Sequence, residues 1–133
     1  MTAGEGRVGG EAGGRLGGRR VLVVEDEMIV AMMIEDILSD HGAVVMGPAA
    51  RVAPALALAA EGPDVALLDM NLGGDSTAPV AALLAGAGVP FAFATGYGAA
   101  GVPAEFRGRP VLQKPFREEE LVRVLEEALG APA

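Results

Sequence analysis

The chain has 133 residues, 18 acidic and 10 basic side chains, a formal charge of −8 and an isoelectric point near 4.5. That length holds one domain with a core of its own. Acidity without a Lys/Arg cluster in the ordered part argues against a nucleic-acid surface and for a cation or a basic partner. The lack of cysteine excludes disulfide scaffolds, thiolate metal sites and thiol nucleophiles, and fits a reducing compartment such as the cytoplasm. The 51% apolar content includes 25 alanines and does not imply a membrane protein. Residues 76–104 carry no charge, but Pro79, Pro90, Pro103 and five glycines cut that stretch into pieces too short to span a bilayer.

Residues 1–19 are expected to form a disordered tail, because eight glycines and only Val8 and Leu16 as bulky apolar side chains cannot offset the entropy of ordering. No apolar secretory core is present in it. Val21-Leu22-Val23-Val24 then reads as a strand buried on both faces, ending in Glu25, Asp26 and Glu27. A helix from about Met28 to Asp40 follows, stopped by Gly42. Helical spacing puts Ile29, Val30, Met33, Ile34 and Ile37 on one face and Met28, Met32, Glu35 and Ser39 on the other. Methionine on an outward face suits an adaptable docking surface, which makes Met28 and Met32 candidate partner contacts. His41, the single histidine, rules out a His-based metal cluster and reads as a solvated helix end.

Ala43-Val44-Val45-Met46 reads as a short strand, Gly47-Pro48 as a break, and residues 51–61 as an Ala-rich helix. The next strand, Pro63-Asp64-Val65-Ala66-Leu67-Leu68-Asp69, ends in a carboxylate just before the loop marked by Gly73-Gly74. In open α/β sheets ligands and chemistry collect at such strand ends. A helix of roughly 76–87 is opened by Asp75, Ser76 or Thr77. Pro90–Ala94 is a fourth strand ending at Thr95, residues 99–109 specify at most a short helix, and Pro110–Gln113 is a fifth strand ending in Lys114-Pro115-Phe116. The last helix spans about Arg117 to Leu129, with Glu118, Glu119 and Glu120 at its positive N-terminus. Strand and helix alternate five times, which predicts an α/β fold with a doubly wound five-stranded parallel sheet. The strand ends bring together three carboxylates, a hydroxyl and an ammonium: Glu25, Asp26, Asp69, Thr95 and Lys114. A purely structural sheet has no reason to set complementary groups on one edge.

Val-Val-Glu25-Asp26-Glu27, Leu-Leu-Asp69-Met-Asn71, Ala-Thr95-Gly and Gln-Lys114-Pro115-Phe116, in this order and spacing, resemble the receiver domain of two-component response regulators over residues 20–130. Within that family, Pro90-Phe91-Ala92-Phe93-Ala94-Thr95-Gly96-Tyr97 resembles the signature of the FAT GUY subfamily of single-domain response regulators. The resemblance implies a flavodoxin-like sheet of order 2-1-3-4-5 and a cis peptide at Lys114-Pro115. In that order Glu25, Asp26 and Asp69 converge, and carboxylates about 4 to 6 Å apart repel by several kcal/mol per pair at intermediate dielectric. A divalent cation relieves the repulsion. Hard oxygen ligands, with the Asn71 carbonyl supplied by the family pattern, suit Mg²⁺.

The resemblance makes Asp69 the phosphoacceptor, Lys114 the charge-balancing ammonium and Thr95 the hydroxyl that donates to the phosphoryl group. The expected protein is not an enzyme beyond its own phosphorylation and dephosphorylation. Two departures stand out: Glu25 replaces the first Asp of the usual metal pair, and Val111 stands where many receivers carry Tyr or Phe. Tyr97, the only tyrosine, is the switch candidate. Only Ala-Pro-Ala follows Gly130, so no output domain is expected, and signalling then passes through protein–protein contact. Implied partners are a histidine kinase of the HWE/HisKA2 type or a histidine phosphotransferase, and a downstream target, in a stress-response phosphorelay. Two alternatives remain: a pseudo-receiver that works without phosphorylation, and a small Mg²⁺-dependent phosphatase, since Asp69-Met70-Asn71 loosely resembles the Asp-x-Asp of haloacid-dehalogenase-type enzymes. Asn71 cannot serve as the general acid of the latter.

Overall fold

The computed structural model describes residues 15–96 and 101–130. The unbroken apolar run Val21–Val24 becomes the inner strand β1 (Arg20–Val24), as expected for a strand covered on both faces. Four parallel strands join it, β2 (Val44–Ala49), β3 (Val65–Asp69), β4 (Phe91–Thr95) and β5 (Val111–Gln113), in the spatial order β2-β1-β3-β4-β5. This is the receiver order.

Side chains alternate along the strands, so the sheet separates two apolar layers. Val21, Val23, Val65 and Leu67 pack with Ile34 and Leu38 of α1 (Met28–Asp40) and with Leu121 and Leu125 of α4 (Glu118–Gly130). Leu22, Val24, Ala66 and Leu68 pack with Ala55 and Ala59 of α2 (Val52–Ala59) and with Val80 and Leu84 of α3 (Ala78–Gly86). Phe91, Phe93 and Phe106 form a trio on this second side, with centroids 5.5 to 5.9 Å apart, Phe91 edge-on to the other two and Phe93 tilted against Phe106.

Three local expectations change. Residues 15–19 are not tail: Leu16 is 1% exposed within the α1/α4 layer, and the Gly18 N–H donates to the Gly42 carbonyl, so one leucine anchors a turn that composition alone assigns to disorder. Gly47-Pro48 does not end β2. The strand runs through this cis peptide to Ala49 with an irregular register against Leu22 and Val24. Gly47 is needed there, since a Cβ would lie 2.8 Å from the Ala49 nitrogen. On α1 the buried seam is Ala31, Ile34, Ile37 and Leu38, whereas Ile29 and Met33 are exposed. A seam through Ala31, Ile34 and Leu38 follows the i, i+3, i+7 rule and leaves those two on the far side with Met28 and Met32.

Between β4 and β5 lies a 3-10 turn, Ala104–Phe106, which buries Phe106. Among the described residues no helix is long and apolar enough to cross a membrane.

Candidate functional site

Register places the strand-end residues side by side. Val24 pairs with Leu68, so Glu25 leaves β1 beside Asp69; Asp69 pairs with Ala94, so Thr95 is one step further out on β4. Thr95 pairs with Gln113, which sets Lys114 immediately beyond β5, and the Lys114 N–H donates to the Thr95 carbonyl at 2.8 Å. All the expected chemical groups thus emerge at the C-terminal edge of the sheet. The Lys114-Pro115 peptide is cis.

Lys114 lies at the centre. Its Nζ is 3.0 Å from Glu25 Oε1, 3.3 Å from Asp69 Oδ2 and 3.4 Å from Glu27 Oε1. Glu25 is buried, 2% exposed, and both of its oxygens are engaged, since Oε2 accepts the Glu27 N–H at 3.1 Å. Asp69 Oδ1 accepts a long 3.4 Å contact from the Asn71 N–H. One carboxylate oxygen each from Glu25, Asp26 and Asp69 lies within 4.8 Å of the others, an acidic cluster that resembles a receiver-domain Mg²⁺ site. Asp26 is exposed, and among the described residues its carboxylate has no hydrogen bond or ion pair. Asp69 is half-buried, with Oδ2 on Lys114 and Oδ1 only weakly held by the Asn71 N–H. Glu25 is the more deeply buried of the two carboxylates that Lys114 pairs with inside the cluster.

Burial dominates the electrostatics. Desolvation pushes the Glu25 carboxyl up to about 7, against the opposing pull of the Lys114 hydrogen bond. Burial works to lower the Lys114 ammonium, but the Glu25 and Asp69 carboxylates outweigh it and raise its pKa above the usual lysine value. The net effect favours the protonated form of both groups.

Two contributors went unread in the sequence. Glu27 was one of three acids after β1, yet it reaches the same ammonium while remaining largely exposed. Thr77, read as a possible helix opener, is 1% exposed, and its hydroxyl and backbone N–H both donate to the Met70 carbonyl at 3.3 Å. A buried threonine eight residues after the key aspartate was the only available signal. Helix α3 is instead served by Ser76 Oγ, which accepts the Ala78 N–H.

Between Met70 and Thr77 the loop folds into a small hairpin, Asn71–Leu72 against Asp75–Ser76. Gly73 and Gly74 turn it with φ of 59° and 100°, as a two-residue primed turn requires. Asn71 Oδ1 accepts the Gly74 N–H at 2.7 Å, which fixes the residue whose carbonyl was expected beside a metal. Met28 and Met32 stand outward on α1, 75% and 55% exposed, next to exposed Ile29. Tyr97 lies outside the described residues.

No family model matches the chain, and no curated protein does. Solved structures do. The solution structure of SdrG from Sphingomonas melonis Fr1 matches with a TM-score of 0.75 and 44% identity over 84% of this chain and 97% of that one. The receiver domain of the response regulator PhyR from Erythrobacter litoralis gives 0.72 and 28% identity over 90% and 98% of the two chains. The crystal structure of PhyR from Brucella abortus gives 0.75 and 28% over 87% of this chain and 49% of its own, so this chain spans about half of that protein. The fold and the edge of acids and lysine define a response-regulator receiver. The chain belongs to that family.

Proposed function

We propose that the chain is a phosphoacceptor of two-component signalling, of the FAT GUY subfamily. Asp69 takes a phosphoryl group from a histidine kinase or histidine phosphotransferase in a Mg²⁺-dependent reaction, and the modified protein signals in the cytoplasm by docking to another protein, within a stress-response phosphorelay. The observation that carries this reading is the Lys114 ammonium 3.3 Å from Asp69 Oδ2 beside the Glu25/Asp26/Asp69 cluster. The chemistry is self-directed and the protein is not an enzyme toward other substrates.

Asp69 attacks phosphorus in line, and the new O–P bond forms as the P–N bond to the donor imidazole breaks, its electron pair leaving on nitrogen. Lys114 balances charge on the phosphoryl oxygens, and Thr95 donates its hydroxyl to one of them. The bond between the Lys114 N–H and the Thr95 carbonyl ties these two responses together. Asp26, Asp69 and the Asn71 carbonyl would hold Mg²⁺, with Glu25 orienting from behind, and the ion would offset negative charge during transfer. Tyr97 is the proposed reporter of the pocket's state, and Met28 and Met32 are proposed contacts for the phosphodonor. Such a role converts a local charge change into a surface change.

Intact-protein mass after incubation with Mg²⁺ and a histidine kinase of the HWE/HisKA2 class tests the reading. Wild type should gain one phosphoryl group and Asp69→Asn none. No gain from a kinase that phosphorylates another receiver, together with unchanged partner binding by Asp69→Asn, would replace it with the pseudo-receiver.

A further inference from the structure

Arg107 and Arg109 stand at the end of the sheet opposite Asp69, just before β5. A groove of about 560 Å³ opens there between the C-terminal ends of α3 and α4 and the start of β4 and β5. Phe91 opens β4 and Thr95 closes it, so about four residues of strand, roughly 13 Å, separate the groove from the acidic cluster. Pro90, Phe91 and Leu129 contribute an apolar lining, and Arg107 and Arg109 stand among them. The Arg109 guanidinium lies over the Phe91 ring, 4.3 Å from its centroid, which fixes the group in place. Arg15 stands alongside: its Nη1 donates to the Glu126 carbonyl at 3.3 Å and would lie 2.9 Å from a Cβ on Gly130, the neighbour of Leu129.

Among the described residues none of these three guanidiniums is paired with a carboxylate, and no hydrogen bond engages the side chains of Arg107 and Arg109. In a chain with a net charge of −8, an apolar groove bordered by arginines that no described carboxylate pairs is complementary to an anionic partner. The rim residues Gly88, Arg107 and Gly108 are exposed, and a Cβ on either glycine would meet nothing within 4 Å. The site is therefore an open channel that an extended chain can cross, rather than a chamber that encloses a small molecule.

We propose that this groove docks an acidic segment of a partner protein bearing one bulky aliphatic side chain. The aliphatic group packs on half-buried Pro90 and Leu129, and flanking carboxylates pair with the planar guanidiniums of Arg107 and Arg109. None of the groove residues belongs to the acidic cluster, so the site operates independently of phosphoryl transfer.

Amide chemical-shift titration of the full chain tests this with a blocked peptide of acidic residues around a central leucine. A matching peptide with glycine at the centre and inorganic pyrophosphate are the comparison ligands. Saturable shifts confined to residues 85–91, 107–111 and 128–130 are expected, at least fivefold weaker for the glycine peptide. The Arg107→Glu/Arg109→Glu variant should bind at least tenfold more weakly while gaining a phosphoryl group as wild type does. Because Arg109 packs on Phe91, Arg107→Glu alone, at an exposed position, separates lost binding from lost folding: weakened binding with an unchanged spectrum supports the site. Shifts absent or located elsewhere, pyrophosphate matching the peptide, or undiminished binding by both variants would overturn it.

Discussion

Replacing Glu25 by glutamine keeps its shape, removes its charge and should abolish a specific pH dependence of stability in the metal-free protein. In the fold the carboxyl is pushed from 4.5 up to about 7 by burial. Between those values the folded chain holds a proton that the unfolded chain has released, so stability falls as pH rises from about 4.5 to about 7 and levels off above. The full displacement corresponds to about 3 kcal/mol. Lys114 acts in a different window: its pKa is raised, so its contribution is intact through neutrality and is lost only as pH climbs past 10.5. Urea unfolding in EDTA at pH 5, 6, 7 and 8 reads the effect. With slopes of roughly 1–3 kcal/mol per molar urea, the wild-type midpoint should drop by about 1 M or more relative to Glu25→Gln across this range. Mg²⁺ at pH 7.5 should return part of the loss to wild type. A gap between the two proteins that stays flat from pH 5 to pH 8 would refute the desolvation argument.

Leu16→Ala should cost about 2–4 kcal/mol in chemical unfolding, as for a buried core leucine, whereas a tail residue would cost nothing. Thr77→Val removes a buried hydroxyl from the Met70 carbonyl; a loss of about 1 kcal/mol with weaker Mg²⁺ binding by calorimetry is expected. Met28→Lys with Met32→Lys should leave the melting temperature nearly unchanged, both being exposed, while slowing phosphoryl transfer from the cognate kinase at least tenfold. Lys114→Met strands the buried Glu25 carboxylate, so its stability deficit against wild type should grow between pH 6 and pH 8 in thermal melts.

The layers of the fold were legible because two-sided strands cannot hide: Val21–Val24 and Val65–Leu68 have no polar alternation, and each ended in the acids that form the site. The strand-end set was equally legible, since register in a parallel sheet brings the residue after each strand to the same edge. The order of the strands came from resemblance alone. What composition concealed was tertiary. Leu16 looked isolated among glycines because its partners, Leu121 and Ile34 among them, lie far along the chain. The seam of α1 was misjudged at Ile29 and Met33 because five apolar positions satisfied a helical period and only contact with the sheet selects among them. Arg15, beside the end of α4, is far from Arg107 and Arg109 in sequence, so no local pattern links it to the groove.

Lys114 shows why the pocket is stable and yet responsive. Its ammonium has three N–H groups and three carboxylates within 3.4 Å, so in the proposed phosphorylation an arriving phosphoryl oxygen would have to displace one of them. The three contacts are unequal. Glu27 is largely exposed, its pairing with lysine is screened by water and salt, and giving it up costs little. Glu25 is buried, and losing its cation would leave a desolvated charge without compensation. That exchange would therefore fall on Glu27, while the 3.0 Å contact to Glu25 keeps the ammonium anchored beside Asp69. An aspartate at position 25, one methylene shorter, would have to draw the lysine away from Asp69 or leave the contact open. In this chain the longer acid and the lysine form one unit, with Asp26 and Asp69 left to face the proposed cation.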